Sequence, residues 1–429
     1  MQRVVARAAL TLAAFAAVLL GILHPRPGTI HKANAAACSE VTVGAVLSLT
    51  GERSANGIQI RNGYEYARRR INEAGGIPVQ GGCHNLRVIY YDDESSAGRA
   101  AQLTERLIVR DRIRLLLGPA GLEATEAVGV VAARHQVPVV SIAGRRNDGA
   151  QNNQRFHFAI DRAPSRYLAG LTEYAAYLAP QIGREPGDLR MAVLHDGSRT
   201  GASAPDPLRD SARRLGIQIV LDRQIGREAG DISQELSKIK SERPNLLLID
   251  ANADRANRAL KMLREMHIEP AILAMADCAS ARVLARFGAK AEKIVCVAGW
   301  GAELAGEDSF FVSPAAFASD YLKHKLRKPA QKQQPPVSAS VAQAAVAVRV
   351  MAAGIERAGT LDHVQVRDAL AAIDLDTIVG HVSFGPRPSH DEKTRAVIRQ
   401  ISDGRYVTVW PTAVAKGTYR WPASVQLPF

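Results

Sequence analysis

The sequence predicts an α/β protein with two doubly wound parallel sheets, each forming a separate lobe. The chain has 429 residues, which is about two to three times the usual size of one domain. Short β-branched segments alternate with amphipathic segments, and this alternation occurs in two successive series. Apolar residues make up 47% of the chain and charged residues 23%, which excludes a disordered, a collagenous and a polytopic membrane protein.

The N-terminal residues have the pattern of a secretory signal peptide. Two arginines precede sixteen uncharged residues, 8–23, and small residues follow at 33–37. A basic start, a short apolar segment and an Ala-x-Ala ending are the three parts of such a signal. The apolar segment is shorter than the ~20 residues of a membrane span. We expect a soluble exported product cleaved after Ala35 or Ala37, with a retained N-terminus or a lipid on Cys38 as the alternatives.

The first series of strands and helices follows this signal. Its predicted strands are short β-branched runs that end in turn residues, at 41–48, 86–91, 113–118 and 137–142. After the first strand, apolar residues recur at helical spacing, and Gly75-Gly76 should end that helix. Ser95 or Ser96 should cap the helix after the second strand.

The second series supplies five more strands, predicted at 189–195, 217–222, 245–250, 270–276 and 293–299. Asp231 and Gln234 form a capping-box pattern before one of the intervening helices. An Ala-rich helix should span about 338–358. Strands that alternate with helices form parallel sheets with right-handed crossovers, and the helices cover both faces. Two such series predict two sheets.

The motifs of common enzyme and nucleotide-binding sites are absent from the sequence. No G-x-G-x-x-G follows the first strand, and no G-x-x-x-x-G-K-[ST], H-E-x-x-H or G-x-S-x-G occurs. Asp92-Asp93-Glu94, after the second strand, is interpreted as a polar strand end. Cysteines and histidines lack zinc spacings, and aromatic residues are only 5% of the chain. We therefore expect no catalytic residue, metal, cofactor or nucleic-acid partner, and a protein that binds a small solute.

A series of motifs gives the chain a specific resemblance. Thr50-Gly51 follows the first strand, an I-N-x-A-G-G helix end lies at 71–76, and Asp92-Asp93 follows the second strand. In this order they resemble the opening of the type I periplasmic solute-binding proteins of ABC importers. The nearest group is the leucine/isoleucine/valine-binding family. Further matching segments follow in order, at 115–125, 137–144, 192–201, 230–250, 259–268, 380–385 and 409–411.

The resemblance implies two lobes joined by three crossovers, with a ligand cleft between them. We expect a signal peptide at 1–37, an N-terminal lobe at 38–161 plus about 301–388, and a C-terminal lobe at 162–300 plus about 389–429. The crossovers should lie near 160–164, 298–302 and 385–395. The implied function is to capture an amino acid, amide or carboxylate in the periplasm by cleft closure. The protein would act as a monomer and deliver this solute to ABC permease subunits in the membrane.

The ligand contacts of the family fall on eight positions of this sequence: Asn56, Leu122, Glu123, Ala143 and Arg145 in the first lobe, and Thr200, Asn252 and Asp277 in the second. Small hydroxyls usually stand where this chain has Leu122 and Arg145, and this departure argues against a branched-chain amino acid. Arg145 could pair with a ligand carboxylate instead, or it could face solvent beside Arg146. Asp277 suits a ligand ammonium and equally suits a helix cap.

Two other functions remain open from the sequence. A ligand-sensing receptor on the same fold would bind an amide or a carboxylate without serving an importer. An exported enzyme would need a nucleophile or a general base in the cleft, and none of Asn56, Leu122 and Ala143 can act as one.

The cysteines allow one clear prediction, a disulfide between Cys38 and Cys83. Each lies three residues before a predicted strand, and those two strands should be neighbours in a 2-1-3 order. Equal offsets in parallel neighbours bring the cysteines within the ~6 Å Cα separation of a bridge. Cys278 and Cys296 are expected to be buried free thiols, with a second bridge as the alternative.

Overall fold

Two mixed β-sheets, each covered by helices, form the body of the protein. The computed structural model describes residues 38–119, 121–144, 155–161, 166–196, 207–225, 232–251, 253–276, 278, 288–325, 336–384, 396–422 and 424. The predicted signal peptide, most of the predicted crossover near 160–164, all of the one near 385–395, and Asp231 lie outside these residues.

The first sheet contains six strands in the order β2-β3-β1-β4-β5-β6. They are β1 Ser39–Leu47, β2 Ile77–Val79, β3 Gly82–Asp92, β4 Leu116–Leu117, β5 Val139–Ala143 and β6 His157–Asp161. Val41 pairs with Leu86 in the parallel β1–β3 register, which confirms the predicted 2-1-3 order and the equal offsets. Among the described strands of this sheet, β2 alone runs antiparallel to its neighbour.

Three helices pack on this sheet: α1 Ser54–Glu73, α2 Ala97–Val109 and α3 Leu122–Arg134. The apolar face predicted for α1 is buried. The helix ends where predicted because Gly75 and Gly76 adopt positive φ angles of 103° and 77°. Ser96, one of the two predicted caps, accepts a hydrogen bond from the Arg99 backbone N–H and begins α2.

The second series forms β7 Arg190–His195, β8 Gln218–Gln224, β9 Leu246–Asp250, β10 Ile272–Ala276 and β11 Val295–Ala298. Its helices are α4 Ala169–Leu178, α5 Pro207–Arg214, α6 Ser233–Glu242 and α7 Ala253–Glu265. The capping box predicted for α6 is wrong. Ile232 occupies the N-cap position without a side-chain cap, so Gln234 is the second helical residue and not the third.

The chain then returns to the first sheet with α8 Pro314–Lys325, α9 Ala339–Ala358, α10 His363–Ala371 and the hairpin of β12 Asp374–Thr377 and β13 Gly380–Ser383. The predicted Ala-rich helix is α9, and the Ser338 hydroxyl caps it. Most of α9 belongs to one apolar core with α1 and the inner face of the first sheet. Among the described helices, α9 is the one long and apolar enough to cross a membrane, and it is largely buried in this core.

Strands β14 Val397–Ser402 and β15 Arg405–Trp410 complete the second sheet, whose order is β15-β14-β11-β10-β9-β7-β8. Both run antiparallel to their neighbours, so the expectation of purely parallel sheets is wrong at the edges. The reason is local. Asp403 and Gly404 both have positive φ angles, 51° and 69°, and form a tight hairpin turn between Ser402 and Arg405. An Asp-Gly pair between apolar runs is the sequence signal for this turn.

Each sheet has an apolar core on both of its faces, as a doubly wound fold requires. In β1, Val43 and Ala45 face the core that contains α9, whereas Val46 faces the core formed with α2 and α3. The second sheet separates two further cores in the same way. The described residues between 310 and 380 contribute to one core of the first sheet and to neither core of the second.

A buried ion pair fixes the chain where it leaves β11. Two guanidinium nitrogens of Arg399, Nε and Nη2, donate to the Glu303 carboxylate at 3.1 and 2.7 Å, and the Thr408 hydroxyl donates to it at 2.7 Å. Arg399 is only 2% exposed. Desolvation opposes ionisation of Glu303, but the contact with Arg399 outweighs it and lowers the pKa of this carboxyl. The two parallel hydrogen bonds of this ion pair fix the position of the chain after β11 relative to β14.

Cys278 and Cys296 form a disulfide, with their Cα atoms 5.2 Å apart. The expectation of free thiols is therefore wrong. Cys296 pairs with Met275 on the adjacent strand β10, and Cys278 follows that strand by two residues. The parallel register thus brings the two sulfur atoms together, which the separate positions of the cysteines, after one strand and within another, did not indicate.

Candidate functional site

The candidate site lies at the carboxyl ends of the parallel strands, where loops and helix N-termini meet. In the first lobe these are the loop from β1 to α1 and the start of α3. In the second lobe they are the ends of β7 and β9 and the first turn of α7. Helix N-termini present backbone N–H groups without intrahelical partners, and these favour an anionic ligand group.

Asp92 and Asp93 organise the loop that follows β1. The Asp92 carboxylate accepts hydrogen bonds from the Leu49 backbone N–H at 2.9 Å and from the Thr50 hydroxyl at 2.7 Å. The buried Asp93 accepts one from the Ser48 hydroxyl at 2.6 Å. Desolvation of Asp92 is outweighed by these and other hydrogen bonds, so its pKa is lowered, whereas burial raises the pKa of Asp93. The interpretation of these residues as a polar strand end is confirmed.

Arg53 is a charged residue of the site that sequence analysis missed. Its Nη2 atom lies 3.3 Å from Oε2 of Glu123, and the two side chains link the loop after β1 to the start of α3. Gly121, before α3, has a φ of 88°, and a Cβ atom there would lie 2.6 Å from Nη1 of Arg53. The backbone conformation favours glycine, because side chains rarely adopt this φ, whereas the flexible Arg53 side chain could move away from a Cβ atom. A basic residue two positions after Gly51 was the available signal.

The four described first-lobe candidates all lie at this edge of the first sheet. Asn56 is exposed in the first turn of α1. Leu122 is half-buried at the first position of α3, and Glu123 beside it is exposed. Ala143 is the last residue of β5. The structure brings them to a common edge, and their contact with a ligand stays a prediction. The other candidates, Arg145, Thr200, Asn252 and Asp277, lie outside the described residues.

Charged side chains also follow the strands of the second lobe. His195, at the end of β7, lies 3.2 Å from the Asp222 carboxylate, to which Arg209 also donates. The hydrogen bond to Asp222 raises the pKa of His195. The backbone N–H of the next residue, Asp196, donates a hydrogen bond to the Asp250 carbonyl at the end of β9. The ends of β7 and β9 are thus held together.

An ion pair joins the two lobes at this site. Nη2 of Arg255, in the first turn of α7, lies 2.6 Å from Oε1 of Glu52, in the loop after β1. Nη1 of Arg255 lies 3.8 Å from Oδ2 of Asp196. Sequence analysis missed this pair because Glu52 and Arg255 are 203 residues apart and no local pattern connects them. Through this contact the carboxyl edges of the two sheets face each other.

Ser141 and His157 meet just below the edge of the first sheet. The Ser141 hydroxyl and Nε2 of His157 are 2.7 Å apart on the neighbouring strands β5 and β6. Burial lowers the pKa of His157 to about 4, so the imidazole is neutral at physiological pH.

Within the part of the chain that the structure describes, no group of three or more His, Cys, Asp or Glu side chains is arranged to hold a metal ion. The charged residues described above form ion pairs and hydrogen bonds with one another.

Two α/β lobes whose strand ends face each other, with charged groups on both sides, define a two-lobed solute-binding protein. Residues 40–405 match the family described as periplasmic binding protein. The chain belongs to this family.

Several relatives are similar over most of the chain. The Leu/Ile/Val-binding protein BraC3 of Rhizobium johnstonii is 24% identical over 359 residues, covering 81% of this chain and 88% of the relative. The leucine-, isoleucine-, valine-, threonine- and alanine-binding protein of Pseudomonas aeruginosa is 22% identical over 338 residues, covering 78% and 83%.

Solved structures with the same fold include two that contain a ligand. The branched-chain amino acid binding protein LivJ of Streptococcus pneumoniae, in complex with isoleucine, has a TM-score of 0.65 and 19% identity, covering 90% of this chain and all of that one. A solute-binding protein of an ABC transporter from Rhodopseudomonas palustris, in complex with benzoate, has a TM-score of 0.64 and 16% identity, covering 89% and 98%. These similarities establish the type I periplasmic binding protein fold.

Proposed function

We propose that this protein captures one small solute between its lobes in the periplasm and delivers it to the permease subunits of an ABC importer. The observation that carries this proposal is the contact between Glu52 and Arg255, through which the carboxyl edges of both sheets face each other. Membership of the periplasmic binding protein family supports the same role. The names of similar proteins add an amino acid as the ligand, and a solved structure of the same fold adds the ABC transporter.

Binding works through an equilibrium between open and closed lobes. Closure surrounds the solute, removes water from it and brings both sets of strand ends into contact with it. A solute closes the lobes only as far as it binds the closed form better, and a preference of ~10⁴-fold would take the ratio of closed to open from 1:99 to 99:1. No bond of the solute is made or broken in this cycle.

We propose that the solute carries a carboxylate. Isoleucine and benzoate are bound by two proteins of the same fold, and both carry a carboxylate. Isoleucine also carries an ammonium, and benzoate does not. The helix N-termini of α1 and α3 provide N–H groups at the site edge, and Arg145 provides a guanidinium that can pair with a carboxylate. Leu122 and Arg145 replace the small hydroxyls of the amino-acid binders, so a branched-chain amino acid fits less well than a plain or aromatic acid.

The remaining parts of the proposal concern the mature protein. The signal at 1–37 would be cleaved, and the product would act as a monomer with lobe boundaries near 161, 301 and 388. The intact mass of the periplasmic product tests the processing. A mass that includes the signal, or a lipid on Cys38, would contradict a cleaved soluble product.

A thermal-shift screen of the purified protein identifies the solute class. The panel contains amino acids, amides, urea, and aliphatic and aromatic carboxylates. At 100 times its Kd, a ligand of the native state stabilises it by about 2.7 kcal/mol, which raises the melting temperature measurably. Mass spectrometry of the recovered hit should show the compound unchanged. If the panel produced no shift, or the hit were converted to a product, the binding-protein proposal would fail.

Two substitutions then separate the possible solutes. Arg145→Ala should weaken binding of a carboxylate by about 1.5–3 kcal/mol, the usual contribution of a charged hydrogen bond. Asp277→Asn should weaken the binding of a solute only if that solute carries an ammonium. Arg146→Ala is the matched control, because it removes an equal charge at the next position. Calorimetry with the best hit is the measurement, and equal affinities for all the variants would refute this placement of the site.

A further inference from the structure

Glu52 and Arg255 form a contact whose two halves belong to different lobes. Glu52 lies in the loop after β1, and Arg255 lies in the first turn of α7, after β9. The Nη2 to Oε1 distance of 2.6 Å is that of a charged hydrogen bond. Any hinge motion that parts the carboxyl edges of the two sheets must break this bond.

The second lobe holds Arg255 in a fixed orientation. Its side chain is 5% exposed, and Oδ2 of Asp196, whose side chain is 4% exposed, lies 3.8 Å from Nη1. Asp196 is itself tied to the end of β9 through its backbone. When the lobes part, Arg255 therefore keeps a countercharge from its own lobe, which limits the desolvation cost of an open state.

The first lobe holds Glu52 on a loop that is already ordered. The Thr50 hydroxyl donates to Asp92, and the Arg53 backbone N–H donates to the Ser95 hydroxyl, so both flanks of Glu52 are fixed. The Glu52 side chain is 42% exposed, so its carboxylate regains water easily when the contact breaks. Both halves are preorganised, and little conformational entropy is lost when they meet.

We propose that Glu52 and Arg255 act as a reversible interlobe latch that favours the closed arrangement of the ligand-free protein. Because a solute binds the closed form, the latch raises the apparent affinity by raising the closed fraction. Both residues are positioning residues and need not touch the solute. The effect on affinity rests on the proposed function, whereas the latch itself does not.

Small-angle X-ray scattering of the ligand-free protein tests the latch without any solute. Glu52→Gln removes the charge and should lower the ratio of closed to open molecules roughly tenfold, as expected for a charged hydrogen bond that is partly exposed. Glu52→Lys places a second cation beside Arg255 and should lower the ratio further. Raising NaCl from 0.05 to about 0.5 M should open the wild type and leave Glu52→Gln unchanged, because salt screens a half-exposed ion pair.

Glu94→Gln is the matched control. Glu94 lies in the same lobe at the end of β3, is also about half exposed, and pairs with Arg99 of its own lobe at 3.0 Å. The Glu94→Gln variant should give the same scattering curve as the wild type at every salt concentration. Circular dichroism confirms that each variant is folded, and Glu52→Asp provides a conservative variant that should retain part of the salt dependence.

The outcome separates the latch from the proposed function. Scattering curves of Glu52→Lys that match those of the wild type at low and high salt would refute the latch, whatever the solute screen finds. Conversely, an opened Glu52→Lys variant supports the latch even if no solute in the panel binds. Once a carboxylate ligand is identified, the affinity of the Glu52→Gln variant for it should fall by the same factor as the closed fraction of the ligand-free variant. This loss should appear as faster dissociation of the ligand.

Discussion

At the scale of single residues, His157 links burial to a measurable dependence on pH. Its imidazole stays neutral in the native state because burial lowers the pKa from 6.5 to about 4. The unfolded chain binds a proton at this residue below its ordinary pKa, and the native protein does not. The free energy of unfolding should therefore fall as the pH drops from 6.5 towards 4, by at most about 1.4 kcal/mol per pH unit from this group.

His157→Gln should reduce this dependence, because glutamine can still bond to the Ser141 hydroxyl but does not titrate in this range. Urea unfolding at pH 8, 7, 6 and 5 is the measurement. Between pH 7 and 8 both proteins should have the same slope, which serves as the control. If the variant lost stability on acidification as steeply as the wild type, His157 would not be the group responsible.

Residues that act through distant partners were the ones that sequence analysis missed. His157 became a buried neutral histidine because β6 packs beside β5, and β6 was not predicted. Arg53 and Arg255 acquired their partners through the tertiary fold. Asp92 and Asp93 were interpreted correctly because their hydrogen bonds go to a neighbouring strand end that the alternation of strands and helices already implied.

At the scale of elements, the contact of α1 with α9 depends on a glycine. A Cβ atom on Gly63 would lie 2.4 Å from the Val341 backbone carbonyl oxygen of α9, too close for either backbone to remain in place. Gly63→Ala should therefore lower the free energy of unfolding by about 1–3 kcal/mol, despite the better helix propensity of alanine.

Gly98→Ala is the matched control for this prediction. Gly98 lies in α2, and the nearest atom to a Cβ there is the Ser96 hydroxyl at 4.0 Å. The alanine should fit without strain and raise stability by about 0.4–1 kcal/mol. Chemical denaturation of both variants shows whether each substitution lowers or raises the free energy of unfolding. A stabilised Gly63→Ala protein would show that the helices have room to separate.

Elements were predictable wherever one local pattern determined them. The buried parallel strands are β-branched runs, and the Ala-rich helix was predicted within one residue of its observed start. Predictions failed for the short antiparallel edge strands. β2 has three residues, and its pairing depends on Gln80 and Gly81, which both adopt positive φ, as do Asp403 and Gly404 in the β14–β15 turn. Such turns are encoded in two residues, and the periodicity of longer segments does not reveal them.

At the scale of the whole molecule, the two sheets have separate cores, so we expect the stability of one lobe to change without that of the other. The Cys278–Cys296 disulfide belongs to the second sheet and closes a loop with a sequence separation of 18. Loops of this length contribute about 3 kcal/mol in the chain-entropy account. Cys278→Ala combined with Cys296→Ala should therefore destabilise the second lobe and leave the first lobe close to its original stability.

Calorimetry of this double variant should resolve a transition that moves to lower temperature and one that does not. Treating the wild type with reductant under conditions that open only this bridge should produce the same shift. A single transition that moves as a unit would show that the lobes unfold together. The Cys38–Cys83 pairing stays a prediction supported by the β1–β3 register, and peptide mapping without reduction tests it.

The two-sheet architecture was predictable because two series of alternating strands and helices are visible in the sequence. How the two sheets approach each other was not, because the Glu52–Arg255 contact joins residues 203 positions apart in the chain. The order of strands depends on local rules of connection, whereas the contact between lobes depends on the complete fold.

For the exported protein that we propose, the composition of α9 also has a consequence for passage through the export machinery. A translocon moves a segment into the lipid when its summed insertion free energy is favourable, so a core helix rich in leucine could be stopped during export. The core helix of this protein is instead built largely from alanine and valine, and it carries Arg349 near its middle. An arginine at the centre of a segment adds about 2.5–3.5 kcal/mol against insertion. In the folded protein Arg349 lies over the Phe310 ring, 5.4 Å from its centroid, so the residue that opposes insertion in transit finds a partner after folding.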